Sequence, residues 1–342
     1  MEYREFGRTG MRVSPLCLGA MMFGAWGNPD HDESIDVIHA ALDAGINFID
    51  TADVYSAGES EQIVAKAIQG RRDELVLATK VHGNMGADPN MRGNSRRWII
   101  RECEESLRRL DTDYIDLYQI HRHDPATDLD ETLGALTDLV HQGKVRYLGS
   151  STFPASSIVE SQWVSDKRNL SRFVCEQPPY SILVRGVEAD VLPTCDRYGM
   201  AVIPWSPLAS GWLSGKWRKG SDDITSHRAG RMPARFDLSL PQNQAKLDAA
   251  DALGALADDA GISLVNLAIA WVINNPAVTS AIIGPRTMEQ LVTQLPAVDV
   301  ELSSDLLDAI DEIVPPGTNF SWADAGYVPP MVAQASARRR RG

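Results

Sequence analysis

The sequence predicts an α/β protein: a (β/α)8 TIM barrel that spans residues 1–342 as a single domain. Three observations lead to this fold class. Short, near-continuous apolar segments recur along the chain, which is typical of parallel strands buried on both faces. Segments with apolar residues at helical spacing separate them. Strand and helix alternate eight times, as a parallel sheet closed into a barrel requires.

A β-hairpin is predicted before the first barrel strand. Residues 3–13 contain two short β-type runs around the turn Arg8-Thr9-Gly10, and this hairpin would cap the floor of the barrel. The eight barrel strands that follow are short and apolar. They are predicted at residues 16–21, 46–49, 75–79, 114–120, 145–149, 173–175, 200–203 and 278–283.

Helices are predicted where apolar residues recur every three or four positions. The first runs through Ile35, Ile38 and Leu42, with Asp30 available near its start and Gly45 as a stop signal. The other stripes lie at residues 99–110, 129–140, around 158, and at 187–195, 247–256, 264–273, 288–295 and 302–313. The last stripe is one more than an eightfold repeat needs.

Three long stretches interrupt this alternation, at residues 81–94, 206–243 and 315–342. The first two follow predicted strand ends, so they should form long loops over the mouth of the barrel, where long loops are usually functional. The last stretch, the C-terminal tail, carries Phe320, Trp322 and Tyr327, an apolar set that is unusual in a disordered segment. We expect the tail to fold back over the active site; an ordered but inert tail is the competing interpretation.

Composition and charge narrow the class of protein. With 44% hydrophobic and 23% charged residues, the chain has the values of a globular protein. A net charge of −13 argues against a nucleic-acid partner, and the arginines at 338–341 are interpreted as a solvated end. No apolar run approaches the ~20 residues that span a bilayer, and the first residues do not read as a signal peptide, so we expect no membrane partner and a cytoplasmic location. The four cysteines form no Cys-x-x-Cys pair and are expected to be reduced and buried.

Four polar residues lie where predicted strands end: Asp50, Tyr55, Lys80 and His121. The C-terminal ends of barrel strands meet around one mouth, and barrel enzymes carry their active sites there. An unpaired ammonium is costly to bury, so Lys80 should have a partner or a depressed pKa. Taken singly, each residue has an ordinary structural interpretation, as a turn cap, a wall residue, a solvated lysine or a core histidine. Together they are suited to proton transfer.

The chemistry that these four residues fit is carbonyl reduction. A phenol with a pKa of ~10 is a weak acid at pH 7, but it can protonate an alkoxide as the alkoxide forms. A nearby cation stabilises the phenolate and a carboxylate fixes the cation, which are roles that Lys80 and Asp50 can fill for Tyr55. His121 would hold the substrate oxygen or share the proton. An acid positioned in this way contributes roughly 10²–10⁴ in rate.

Several motifs, in order along the chain, resemble the aldo-keto reductase family. The stretch Asp-Thr-Ala-Asp-Val-Tyr-Ser-Ala-Gly-Glu-Ser-Glu at residues 50–61 is similar to the family signature. Other similar segments lie at residues 7–20, 77–80, 114–121, 144–149, 205–211 and 282–286. The general type of the sequence looks closer to the branch of potassium-channel β subunits and bacterial aldo/keto reductases than to the aldose-reductase branch.

The resemblance implies an activity and a cofactor. The family's catalytic tetrad falls on Asp50, Tyr55, Lys80 and His121, and the implied cofactor is NADPH/NADP+ bound across the mouth of the barrel. The implied reaction is the reduction of a small-molecule carbonyl substrate by direct hydride transfer, with Tyr55 as the general acid. No Gly-x-Gly-x-x-Gly loop follows the first predicted strand, which argues against a Rossmann dehydrogenase.

The resemblance also implies cofactor contacts. Ser151 matches the serine of a Ser-Asn pair that holds the nicotinamide amide, and Thr152 replaces its asparagine. Gln177 matches an amide-binding glutamine, and Trp205 matches the residue that stacks on the nicotinamide. The other implied contacts are Gly19, Ala20, Met21, Asp50, Ser206, Pro207, Leu208, Ser210, Gly211, Lys216, Gly284, Arg286, Gln290 and Gln294.

The adenosine end of the implied site favours NADP(H) over NAD(H). Gly284 and Arg286 precede the helix predicted after the eighth strand, and a helix N-terminus favours phosphate. Arginine suits a 2′-phosphate because its planar fork binds two oxygen atoms at once. Thr293 and Gln294 stand where the family has Glu and Asn, so the contacts to adenine differ.

Two other functions remain open at this point. His121 and His123 form a His-x-His pair on one face of a strand end, as in a metal-dependent TIM-barrel hydrolase, although no other histidine lies at a late strand end. Some proteins that resemble aldo-keto reductases are cofactor-sensing subunits of larger assemblies, and an intact tetrad is compatible with that role. The oligomeric state and the substrate are not specified by the sequence.

The candidate substrate pocket is rich in aromatic and methionine side chains. Its predicted residues are Met22, Trp26, His82, Met85, His123, Trp212 and Trp322. Such walls suit a bulky or apolar carbonyl compound, or a sugar ring stacked on tryptophan.

Overall fold

The computed structural model describes residues 1–220, 229–230 and 232–340. Parts of the loop predicted at residues 206–243 lie outside the described residues. The same holds for Arg341, the last arginine of the end that was predicted to be solvated. Within the described part, the eight predicted strands are all present, and they form one parallel sheet. The predicted (β/α)8 fold is therefore confirmed.

The parallel strands follow one another around the barrel in chain order. They are β3 (Leu16–Gly19), β4 (Phe48–Asp50), β5 (Val76–Val81), β6 (Ile115–Ile120), β7 (Val145–Ser151), β8 (Phe173–Gln177), β9 (Ala201–Val202) and β10 (Ala281–Ile283). β10 pairs with β3. The last gap, between β9 and β10, is bridged by hydrogen bonds from the backbone N–H of Thr279 to Val202 O (2.8 Å) and of Ile282 to Pro204 O (2.9 Å).

Helices cover the outside of the strands. Those of the barrel are α1 (His31–Asp43), α2 (Glu59–Ala67), α3 (Arg96–Leu110), α4 (Leu129–His141), α5 (Ala155–Arg168), α6 (Val191–Tyr198), α7 (Pro241–Asp259), α8 (Leu264–Asn274) and α9 (Met288–Gln294). The surplus stripe is α10 (Ser304–Ile313), and a short α11 (Pro330–Ala333) lies in the tail. The predicted cap of α1 is present, since Asp30 accepts a hydrogen bond from Glu33 N–H.

The sequence analysis missed one barrel helix, α2. Two polar residues, Ser60 and Glu61, are fully buried on this helix and hide its apolar stripe. The analysis also extended the first strand to residue 21, whereas β3 ends at Gly19, and it ended the third strand before Lys80, which lies inside β5. The two long helices predicted between the seventh and eighth strands are confirmed as α7 and α8.

The predicted hairpin closes the floor of the barrel. Its strands β1 (Arg4–Glu5) and β2 (Arg12–Val13) pair antiparallel. Phe6, in the hairpin, is fully buried and makes an edge-to-face contact with Phe48 at the start of β4, with ring centroids 5.8 Å apart. A compact apolar cluster that includes Phe6, Val13 and Phe48 fills this end of the barrel.

Side chains alternate between the inside and the outside of the barrel. Asp50 follows Phe48 on β4 by two residues, and Lys80 follows Ala78 on β5 by two, so each pair points inward. Gly149 lies on the same inward face of β7, where a Cβ would stand 2.9 Å from Gln119 Cγ. A glycine is needed there because Gln119 fills the space.

The four cysteines are free and buried, as predicted. Burial raises the pKa of the thiols of Cys17 and Cys175 well above the usual 9.0. The pKa of Cys103 is raised to about 12, again mainly by burial. The pKa of Cys195 is raised by burial as well.

Candidate active site

Lys80 lies at the centre of a buried group of polar side chains at the barrel mouth. Its side chain is inaccessible to solvent. Nζ donates hydrogen bonds to Asp50 Oδ2 (2.5 Å), to Thr51 O (2.8 Å) and to Tyr55 Oη (3.2 Å). Because an ammonium has three N–H donors, every donor of this buried cation has an acceptor.

The surroundings keep Lys80 charged. Burial is the largest single influence on its pKa and lowers it, but Asp50 and then Tyr55 raise it by more in sum. The net result is a pKa of Lys80 above the usual 10.5. The sequence required either a partner or a depressed pKa for this lysine, and the structure provides the partner.

Two glutamines fix the other oxygen of Asp50. Gln119 Nε2 and Gln177 Nε2 each donate to Asp50 Oδ1 at 2.9 Å, and Gln177 Nε2 also lies 3.1 Å from Gln119 Oε1. The sequence analysis did not select Gln119. Its signal was its place two residues before His121, which puts it on the inward face of β6.

Tyr55 lies in a single turn, Tyr55–Gly58, that follows β4 and precedes α2. Its ring is nearly buried, and Lys80 Nζ lies 4.8 Å from the ring centroid. Trp26 lies on one side of the ring, at a centroid distance of 6.0 Å, and His121 meets it edge-on at 5.7 Å. The phenol is therefore held between an indole, an imidazole and an ammonium.

His121 follows β6, and its backbone N–H bonds to Val81 O at 2.9 Å. Burial, and then the positive charges of Lys80 and Arg122, lower the pKa of His121 well below the usual 6.5. The imidazole is neutral at pH 7, so one ring nitrogen donates and the other accepts.

The predicted His-x-His pair does not share one face. β6 ends at Ile120, so the strand alternation assumed for the pair does not continue through it. His121 contacts Tyr55, whereas His123 packs edge-on against Phe153 at 5.3 Å and lies 3.3 Å from Ser157 Oγ. In the described ranges, no group of three or more His, Cys, Asp or Glu side chains is arranged to hold a metal ion.

The residues predicted to hold a nicotinamide converge near Trp205. Ser151 Oγ and Thr152 N–H both donate to Gln177 O, at 3.0 and 3.1 Å, which joins the ends of β7 and β8. Trp205 N–H donates to Pro178 O at 2.9 Å. Trp205 and Ser206 line one wall of a cleft that also includes Ser210, Trp212 and Asp324, so the wall is partly aromatic and partly polar.

The loop after β9 begins with a tight turn, Ala209–Gly211. Ser206 has φ +64° and its Oγ accepts a hydrogen bond from Ser210 N–H at 2.9 Å. Pro207 and Leu208 directly precede this turn, and Lys216, further along the loop, is exposed. Ser206 thus stabilises the turn that is predicted to cover the pyrophosphate.

Gly284 and Arg286 lie between β10 and α9. Apart from its two chain neighbours, no atom of the described residues lies within 4 Å of the place where a Cβ of Gly284 would stand. Arg286 N–H donates to Gln290 Oε1 at 2.8 Å, and Arg286 O accepts from Asn28 Nδ2 at 3.1 Å. Gln294 Oε1 is buried without a hydrogen-bond partner among the described residues.

The C-terminal tail is held by contacts with distant parts of the chain. Near its start it lies beside the segment between β8 and α6, where Asn319 bridges to Val184 and its Oδ1 accepts a hydrogen bond from Gly186 N–H at 3.0 Å. Further on, Asp324 forms an ion pair with the buried Lys246 of α7 and lies 3.6 Å from Arg235 Nε.

Gly326 of the tail lies against two predicted cofactor contacts. A Cβ at this glycine would stand 2.7 Å from Thr152 Cγ2 and 3.2 Å from Trp205 Cζ2. Lys246 and Asp324 were not predicted from the sequence as site residues. They are 78 positions apart (from 246 to 324), and no sequence motif links them.

The predicted substrate-pocket residues are spread over a wider area than the tetrad. Trp26 contacts Tyr55, and Met22 is buried in the adjoining turn. His82 Nδ1 lies 2.9 Å from Asn94 Oδ1. Met85 packs against the core.

Two of the predicted pocket tryptophans have surroundings other than the tetrad in the contacts described. Trp212 is buried in a stack with Trp217 and Phe236, with centroids 4.1 and 5.6 Å away. Trp322 is half exposed. Among the residues predicted to line the substrate pocket, Trp26 is in ring contact with Tyr55.

A (β/α)8 barrel with a buried Asp-Lys-Tyr group and a neutral histidine at its C-terminal mouth has the arrangement of a barrel enzyme, and these groups are suited to proton transfer. A family model described as "Aldo/keto reductase family" matches residues 15–315. The chain belongs to the aldo/keto reductase family.

Curated relatives are similar over nearly the full chain. The "Uncharacterized oxidoreductase YrpG" of Bacillus subtilis is 42% identical over 327 residues, which cover 92% of this chain and 96% of that protein. The "Probable voltage-gated potassium channel subunit beta" of Oryza sativa is 37% identical over 328 residues, covering 92% and 97%. The "Aldo-keto reductase YhdN" of Bacillus subtilis is 35% identical over 300 residues, covering 85% and 87%. These names support an oxidoreductase role and match the expected branch of the family.

Among the described residues, no single helix has the length and apolar composition that a membrane span needs. The pair Pro241–Asp259 and Leu264–Asn274 meets those criteria only when taken together, and it is bent by 95°.

Proposed function

We propose that this protein reduces an aldehyde or a ketone to an alcohol with NADPH, and that Tyr55 is the general acid. The observation that carries the proposal is the buried contact of Lys80 Nζ with both Tyr55 Oη (3.2 Å) and Asp50 Oδ2 (2.5 Å). A fixed cation beside a phenol favours loss of its proton, because it stabilises the phenolate. Membership of the aldo/keto reductase family supports the reaction class.

Each member of the tetrad has a distinct task in the proposed reaction. Tyr55 Oη gives its proton to the carbonyl oxygen of the substrate. Lys80 donates a hydrogen bond to Oη, which stabilises the negative charge that develops there, and Asp50 holds Lys80 in place. A bound NADPH supplies the hydride that the carbonyl carbon receives.

His121 orients the substrate. Because its pKa is lowered well below 6.5, it is neutral and can donate one hydrogen bond to the carbonyl oxygen. A neutral imidazole is a weaker acid than imidazolium, so the proton comes from Tyr55. The substrate oxygen is thereby held by two donors, from different strand ends.

The residues near Trp205 and Gly284 fit a nicotinamide adenine dinucleotide phosphate. Within the described residues, Trp205 Nε1 and Gln294 Oε1 are buried without a partner, and a bound ligand would satisfy such atoms. The open space at Gly284, next to the start of α9, leaves room for a phosphate group. The half-buried Arg286 beside it favours the 2′-phosphate of NADPH over NADH.

We also assign the tail the role of a cover for this cofactor site. Gly326 contacts Trp205 and Thr152, and Asp324 binds Lys246 at the far side of the same cleft. The family model ends at residue 315, so the cover lies beyond the region that the model matches. The cytoplasmic location and the lack of nucleic-acid partners stay predictions from the sequence.

The substitution Tyr55→Phe tests the proposed mechanism. It removes only the hydroxyl, so we expect NADPH affinity, measured by quenching of tryptophan fluorescence, to stay unchanged. We expect turnover of a panel of aldehydes, quinones and keto-sugars, followed by NADPH absorbance, to fall roughly 10²–10⁴-fold.

Tyr118→Phe is the matched control for this experiment. Tyr118 is fully buried on β6, and its hydroxyl has no hydrogen-bond partner in the described part of the chain. Its loss should change neither turnover nor affinity. Turnover by the Tyr55→Phe variant near the wild-type rate would contradict the mechanism.

A second candidate function is a cofactor-sensing subunit. It is favoured by relatives that carry the name of a potassium channel subunit beta, at 37% identity in Oryza sativa and 35% in Arabidopsis thaliana. Tight NADPH binding by the wild type, with no oxidation of NADPH by any compound of the panel, would favour this role. Turnover with any of them would favour the reductase.

A further inference from the structure

Glu176 is a fully buried carboxylate that the tetrad does not use. It precedes Gln177 on β8 and so points to the outside of the barrel, away from Asp50. One oxygen accepts a hydrogen bond from Phe153 N–H at 3.1 Å, and the other accepts from Ser150 Oγ. Both donors flank the turn at the end of β7.

The residue between those donors has a strained backbone. Thr152 has φ +59°, in the left-handed region. A β-branched residue rarely adopts this conformation, whereas asparagine and glycine adopt it readily. Something must hold Thr152 there.

Contacts from three directions meet at Thr152. Its N–H donates to Gln177 O at 3.1 Å, and Arg122 Nη1 donates to its hydroxyl at 3.4 Å. Glu176 fixes the next residue, Phe153, through the backbone N–H. Of these three, only Glu176 restrains the chain on both sides of Thr152, through Ser150 and Phe153.

We propose that Glu176 is a positioning residue which holds Thr152 in the left-handed conformation and thereby presents Ser151 and Thr152 to the nicotinamide. The choice of ligand rests on the proposed function. The restraint itself is a property of the fold, so it can be measured without the ligand.

The test is a double-mutant cycle of Glu176→Ala and Thr152→Asn. Glu176→Ala removes both acceptors and should weaken NADPH binding about tenfold in a fluorescence titration. Thr152→Asn relieves the strain, since asparagine tolerates a positive φ, so the double variant should recover most of that affinity. Glu176→Gln keeps an acceptor for Phe153 and should bind NADPH like the wild type.

A matched control separates this effect from general damage to the core. Glu102 is another buried carboxylate, paired with Arg109 on α3. Thr152→Asn should not rescue Glu102→Ala. A double variant of Glu176 and Thr152 that binds as weakly as Glu176→Ala overturns the proposal.

Thermal unfolding of the same variants keeps the inference separate from the proposed function. If the wild type binds no NADPH, the proposed function fails. The restraint is still supported if the midpoint shift of the double variant differs from the sum of the shifts of the two single variants. If the shifts add up, the proposed restraint is overturned. If Glu176→Ala does not fold, recovery of a folded protein by Thr152→Asn supports the restraint, and a double variant that also does not fold overturns it.

Discussion

The two ends of the barrel interior differ in what fills them. At the floor, Phe6 of the hairpin packs on Phe48 in an apolar cluster. At the mouth, two residues further along the same strands, Asp50 and Lys80 form a buried ion pair. Burial of apolar surface stabilises a fold, whereas a buried ion pair adds little net stability. One end therefore supports the fold, and the other carries the proposed chemistry.

The two ends also differ in their sensitivity to the loss of one side chain. Each polar atom of Lys80 has a partner, and Gln119 and Gln177 complete the partners of Asp50. A buried polar network is sensitive to any missing member, because the partner left behind stays desolvated. An apolar cluster loses only the contacts of the group that is removed.

Among the variants considered, Lys80→Met should have the largest combined effect on stability and turnover. It leaves Asp50 buried without its cation, so the free energy of unfolding should fall by about 3–5 kcal/mol. Turnover should fall roughly 10²–10⁴-fold, since Tyr55 loses its donor. Urea unfolding and a steady-state assay measure the two effects.

Phe48→Ala provides the contrast at the floor. Its loss of stability should be of similar size, about 3–5 kcal/mol, while turnover per folded molecule stays unchanged. Adding Asp50→Asn to Lys80→Met should restore part of the stability, because no unpaired charge remains. Equal losses of turnover in the floor and mouth variants would remove the distinction between the two ends.

Glu176→Gln should show how much a charge buried outside the tetrad lowers the free energy of unfolding. Burial is the main influence on this carboxyl and raises its pKa from 4.5 to about 7. An acid with a raised pKa in the folded state binds its proton more tightly there, so the wild type loses stability as pH rises from about 4.5 to 7.

The size of this effect follows from the shift. Each pKa unit corresponds to ~1.4 kcal/mol, so Glu176→Gln should be more stable than the wild type by up to about 3 kcal/mol at pH 8. The difference should vanish near pH 4. Unfolding at a series of pH values measures it, and a difference that does not depend on pH would disprove this account.

Asp324→Asn should have the smallest effect on turnover, because it acts on the proposed cover of the mouth and not on the tetrad. Asp324 pairs with Lys246, and the amide keeps its shape without the charge. We expect NADPH to dissociate a few times faster in stopped-flow fluorescence, with the tetrad chemistry unchanged. Asp305→Asn, an exposed change on α10, is the control. An unchanged dissociation rate would show that the tail does not cover the cofactor.

The sequence predicted the fold because barrel strands are local patterns. Eight apolar segments were enough, and the errors lay at strand ends and at α2, whose buried Ser60 and Glu61 break the stripe. The tetrad residues were selected because a lysine in a buried strand needs an explanation. Glu176 carries the same signal, a charged residue in a buried strand, and it was overlooked.

The remaining contacts could not be predicted because they join distant parts of the chain. Lys246 and Asp324 meet only when the C-terminal tail packs against α7. The left-handed backbone of Thr152 has no signal in its own side chain, since threonine is unfavourable there. These features depend on tertiary structure rather than on local pattern.

The buried thiols make this chain suitable for site-specific labelling. A thiolate is the reactive form of cysteine, and burial keeps all four native thiols protonated and out of reach. A maleimide dye would therefore react with an introduced cysteine in preference to the native ones. Placed on the tail at Ala325, between Asp324 and Gly326, such a dye would report in real time whether the tail moves when NADPH is added.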